Sequence, residues 1–102
     1  MTDLSEAELK DLVAEAIVDA YDEDEQLMGF AALIEDNLET PFQTTVLGVP
    51  VTVTGIRHTS HGIVADCVRG AHRQAIHILD LKLPQPPPGG AEWIAAYRHW
   101  TR

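Results

Sequence analysis

Apolar positions along the chain keep a helical period over the first forty residues and a strand period after that. Leu9, Leu12, Val13, Ala16, Ile17 and Ala20 recur at three- and four-residue spacing, the repeat of one helix face, while Asp11, Glu15 and Asp19 fall off it. Ser5 with Glu8 three residues on has the pattern of a capping box, and Leu4 with Leu9 can staple it. The spacing predicts a helix over residues 6–21. A second start follows at once, with Asp22 as cap and Glu25 three residues later. Leu27, Ala31, Ile34 and Leu38 form its stripe, with Phe30 beside it. Pro41 disfavours helical geometry at Thr40, so this helix should end within residues 37–39. Two helices joined by a short acidic turn are expected to pack as a helical hairpin.

Beyond Pro41 the period falls to two. Residues 42–47, 49–56, 62–68 and 75–81 read as short strands, with Gly48 as a tight turn and Ser60, Gly62 and Gly70 in or beside the connections. No helix intervenes, so the order predicts an antiparallel meander or a small, partly open barrel. Residues 84–90, PQPPPGG, suit an irregular, stiff spacer. Residues 91–100 read as a short terminal helix with Trp93, Ile94, Tyr97 and Trp100 largely on one side, a stripe that suits the core. The expected fold class is α+β in one domain over residues 1–102: a helical hairpin, a small sheet and a C-terminal helix.

Charge is unevenly placed. Residues 1–41 carry thirteen Asp/Glu against one Lys, and residues 42–102 carry three against six Lys/Arg, so −12 and +3 sum to the net −9. All five histidines lie in the second part. An acidic surface repels nucleic-acid phosphate and anionic membrane and attracts cations. The acid-rich start MTDLSEAELK lacks the basic, then apolar, pattern of a signal peptide, and no apolar run suits a membrane helix, so a cytoplasmic setting is expected. The one cysteine, Cys67, allows no internal disulfide and suits a buried position.

Motifs for phosphate loops, hydrolytic serines, zinc peptidases and paired-cysteine sites are missing, which argues against an enzyme. Asp22-Glu23-Asp24 resembles the opening of an EF-hand loop, but the sixth position is Leu27 and the twelfth Leu33, where glycine and glutamate are needed. What remains is carboxylate density. Asp19, Asp22, Glu23 and Asp24 gather at the turn between the helices, and Glu35, Asp36 and Glu39 where the second helix ends. Mutually repelling carboxylates beside free helix-end carbonyls suit Ca²⁺, a hard cation taking six to eight oxygens. Two alternatives stand beside this reading. His58 and His61 flank a turn and could share a transition metal with His72, His77 or Asp66 as third ligand. The small barrel or the proline-rich spacer could instead dock a protein partner, with the acids serving only solubility.

Residues 17–42, IVDAYDEDEQLMGFAALIEDNLETPF, resemble the signature of the small bacterial calcium-binding proteins of the CcbP type, first known from heterocyst-forming cyanobacteria. The matching pieces are Asp19-Ala20-Tyr21, the acids from Asp22 to Glu25, Met28-Gly29-Phe30, Ile34-Glu35-Asp36-Asn37-Leu38 and Pro41-Phe42. The resemblance implies an acidic cytosolic Ca²⁺ binder without enzymatic activity and an α+β fold. It carries Asp19, Asp22, Glu23, Glu35 and Asp36 across as matched acidic positions. Family members tend to have an acidic loop where this chain has residues 55–62, GIRHTSHG, so an ion site built on that loop is not expected here.

Overall fold

The structure, a computed structural model, describes residues 4–102. Among them are three α-helices, α1 (Glu6–Ala16), α2 (Glu23–Asn37) and α3 (Ala91–Trp100), and four strands, β1 (Phe42–Val46), β2 (Val49–Thr59), β3 (Gly62–Arg69) and β4 (His72–His77). The strands form one open antiparallel sheet in the order β1-β2-β3-β4, the meander form of the expected α+β fold.

The start of α1 is the expected capping box. The Glu8 N–H donates to Ser5 Oγ at 3.1 Å, and the Ser5 N–H donates back to Glu8 Oε1 at 3.2 Å. Its end comes earlier than the period suggests. Ile17 and Ala20 keep helical spacing, but the chain leaves the helix after Ala16 and turns through Asp19, whose φ of 63° lies in the left-handed region. Asx residues reach that region at less cost than most side chains. The turn lets the end of α1 lean on α2 at Gly29, where a Cβ would collide with the Ala16 carbonyl oxygen. The two helices are thus joined as expected, yet each packs more extensively on α3 than on the other.

That role of α3 follows from its aromatic stripe. Phe30, fully buried, sits 5.5 Å from the Tyr97 ring and 5.2 Å from Trp100, centroid to centroid. Trp100 Nε1–H donates to Gln26 Oε1 at 3.0 Å, giving the indole a polar partner. Phe30, Ile34, Val53, Ile63 and Ala65, with Trp93, Ile94 and Tyr97, form the core between the helices and one face of the sheet. Gly90, with φ 90°, precedes α3 where that helix abuts the end of α2; a Cβ there would collide with the Asn37 carbonyl.

Two strand readings change. β2 runs on through Thr59, with a register shift between Val53 and Gly55, so residues 55–59 are strand and only Ser60 and His61 lie in the turn to β3. The expected strand over 75–81 is a strand only to His77 and then a 3₁₀ turn, Ile78–Asp80. The Leu79 N–H donates to His77 Nδ1 at 3.3 Å, which bends the chain and puts Ile78 into the core. No helix among the described residues is long and apolar enough to cross a membrane.

Candidate functional site

The acids singled out above all sit on exposed backbone at the two ends of α2 or in the turn before it. At the first end Asp22 is the N-cap, its Oδ1 accepting from the Glu25 N–H at 2.8 Å. Glu25 reaches back one residue further than a capping box requires: its Oε2 accepts from the Tyr21 N–H at 2.8 Å. Each of these carboxylates thus has one oxygen on a backbone amide. Glu23 and Asp24 occupy the first helical turn, where the positive end of the helix dipole favours them without any ion. Asp19, at the corner of the turn, has no such helix amide to cap.

At the second end the electrostatics run the other way. Glu35 and Asp36 lie in the last turn of α2, which has no basic residue, and Glu39 follows just beyond. Carboxylates at the negative end of a helix are disfavoured unless a cation joins them. The local backbone is held firmly: Asn37 Nδ2 donates to the Leu33 carbonyl at 2.8 Å, and the Glu39 N–H donates to the Gly89 carbonyl at 2.8 Å. Gly89 also leaves room for the Glu39 side chain, which a Cβ at that position would meet at 2.8 Å.

Glu23 and Glu35 are twelve residues apart on one helix, about 18 Å of rise, so the two ends cannot share an ion. Among the described residues no three His, Cys, Asp or Glu side chains stand close enough together to hold a metal as they are. The donor set nevertheless suits Ca²⁺: every candidate at both ends is a carboxylate, with helix-end carbonyls beside it and no nitrogen or sulfur ligand. These carboxylates form no finished cage; an ion bound there would have to gather exposed side chains.

A third acidic place is not visible in the sequence. Glu8, Asp11 and Glu15 on α1 face Glu92, in the first turn of α3, across a hollow of about 400 Å³ edged by Leu4 and Leu12. The first three share one helical face, a pattern that reads as a solvated surface until α3 is docked beside it.

The candidate ligands of a histidine site do not all share one side of the sheet. Register puts His58 opposite Ile63, on the core side of the sheet, and places Asp66 and His77 on the other side. His72, opposite Arg69, shares the side of His58 but lies six residues along β3 from it, about 20 Å. Asp66 is already engaged: Arg57 Nε and Nη2 donate to its two oxygens at 2.7 Å each. That hydrogen-bonded guanidinium holds the Asp66 carboxyl below its ordinary value, against the opposing effect of burial. Cys67 is buried and free, its thiol pushed up first by burial and then by the charge of Asp66.

A family model of the CcbP type, described as calcium binding, matches residues 10–101. No curated protein and no solved structure matches the chain.

Proposed function

The chain belongs to the CcbP calcium-binding family, and on that premise we propose that it binds Ca²⁺ through the carboxylates at the ends of α2 and acts as a buffer or sensor, without catalysis, in the cytoplasm. The observation that carries this reading is the last turn of α2. Glu35 and Asp36, with Glu39 beyond, crowd the negative end of a helix dipole with no base among them. A divalent cation relieves both the mutual repulsion and the unfavourable dipole. The turn carrying Asp19, Asp22, Glu23 and Asp24 is the second position. It is the weaker of the two, because the dipole and the backbone amides of α2 already stabilise part of its charge.

Exposed ligands must lose side-chain freedom when the ion gathers them, which costs affinity. The expected dissociation constants are therefore roughly 10⁻⁵–10⁻³ M, in the weaker part of the range for oxygen-ligand Ca²⁺ sites. Calorimetry with CaCl₂ at physiological salt should register binding, and the melting temperature should rise with Ca²⁺, since a ligand held only by the native state stabilises it. No heat and no shift at millimolar Ca²⁺ would remove the proposal.

One observation favours a third location for the same ion. Glu8, Asp11, Glu15 and Glu92 line one hollow from two different helices, so tertiary packing sets them around a common space, although no three of them stand close enough to hold an ion without moving. Glu92→Gln lowers Ca²⁺ affinity on that reading, and Glu35→Gln with Asp36→Asn lowers it on the first.

A further inference from the structure

One edge of the sheet is bare. β4 pairs with β3 alone, and His72, Arg73, Gln74 and Ala75 are all exposed. In an antiparallel ladder every second residue of such a strand turns its N–H and C=O away from its partner, so β4 offers a short row of unpaired donors and acceptors. The chain that leaves β4 does not return along it. It turns inward at Ile78, and the Lys82 carbonyl then accepts from the Thr44 hydroxyl of β1, across the sheet from β4.

The two faces beside this edge differ. Register puts His72, Gln74 and Ile76 on the inner side of the sheet with Ala65 and Cys67, and Arg73, Ala75 and His77 on the outer side. On the inner side Gln74 and Ile76 line a hollow of about 460 Å³, together with Val49, Val51 and Cys67; Leu47, 99% exposed, edges it, and no helix residue lines it. On the outer side stands Arg73. The acid of that side, Asp66, opposite Ala75, is held on both oxygens by Arg57, and Arg73 makes no ion pair of its own among the described residues. In a chain of net −9, residues 67–79 hold two arginines, two histidines and no Asp or Glu.

We propose that β4 is a docking edge for an extended peptide of another protein, one whose side chains alternate between apolar and acidic. Its backbone adds a fifth strand to the sheet. Its apolar side chains turn inward beside Gln74 and Ile76 to cover the hollow, and its acidic ones turn outward beside Arg73. The alternation follows from the strand period of two: neighbouring peptide residues meet opposite faces, and the faces beside β4 are apolar on one side and basic on the other. A second copy suits this edge poorly, because pairing β4 with itself sets the same basic residues against one another with no acid between them. An edge of six residues belongs to the weak, reversible class of contact. The inference does not depend on calcium.

An NMR titration of the full chain in chelator and low salt tests it, with the end-blocked peptide EVEVEVE as probe. At millimolar peptide, saturable amide shifts should centre on residues 72–77 and reach Val51 and Cys67. The same peptide methylated at every backbone nitrogen keeps its side chains but loses its donors, and it should not bind. A peptide with serine in place of valine should not bind either, since it has nothing to place in the hollow. Arg73→Glu should fold like the wild type, because that side chain is exposed, and should weaken binding roughly fivefold. An unmoved spectrum, shifts centred away from β4, equal binding of the methylated or serine peptide, or unchanged affinity in Arg73→Glu would overturn the proposal. So would shifts of the β4 amides on concentrating the protein alone, which would give the edge to a second copy.

Discussion

Gly29 lies so close beneath the carbonyl of Ala16 that a Cβ there would strike the oxygen. The contact is where the end of α1 comes down on α2, and it positions the acidic turn that follows. In an exposed mid-helix position, alanine in place of glycine adds up to about 1 kcal/mol of stability. Here the sign reverses. Gly29→Ala should destabilise by about 1–3 kcal/mol, the range for forcing extra volume into packed structure, as measured by urea unfolding. An unchanged or raised midpoint would mean that the helices do not meet at this point.

Leu47 poses the opposite case. Its side chain touches solvent and its backbone is left-handed, so little is lost with the side chain and strain is relieved with the substitution. Leu47→Asn should raise stability by up to about 1 kcal/mol. A clear loss in a thermal melt would show that Leu47 packs against something in the folded state.

The Arg57–Asp66 pair gives a pH dependence with a definite sign. The hydrogen-bonded guanidinium lowers the carboxyl pKa in the folded state. A depressed acid stabilises the fold above its unfolded pKa, and that contribution is lost as pH falls through the folded value. A carbon-detected NMR titration of Asp66 should find it below the ordinary carboxylate range. Arg57→Gln should move it back up; a titration unmoved by that change would remove the pair as the cause.

Cys67 is 3% exposed, and burial pushes its thiol up. A thiol so placed reacts through the opened protein rather than as a surface nucleophile. Labelling with a disulfide reagent at neutral pH should be slow in buffer and fast in urea. Equal rates would place the sulfur at the surface.

Much of the fold could be read from local chemistry. Ser5 and Glu8 announce α1, Asp22 announces α2, and the stripe from Trp93 to Trp100 gives α3. What escaped the sequence depends on contacts between distant residues. The end of α1 hinges on Gly29, thirteen residues beyond Ala16, while Ile17 and Ala20 keep the helical period past the break. The end of β4 is a local exception: the His77 imidazole accepts from the Leu79 N–H two residues on, although the alternation of residues 75–81 continues. The candidate site divides in the same way. The acids at the ends of α2 are local in sequence, whereas Glu92 joins Glu8, Asp11 and Glu15 only after α3 packs beside α1.

The direct test of the central claim is a ¹⁵N-detected NMR titration of the protein with CaCl₂ at physiological salt. Saturable amide shifts should centre on residues 33–39, at the end of α2, with a second group over residues 19–25, and Glu35→Gln with Asp36→Asn should abolish the first group. A spectrum that does not move at millimolar Ca²⁺, or one whose shifts centre on the Ser60–His61 turn instead, would contradict it.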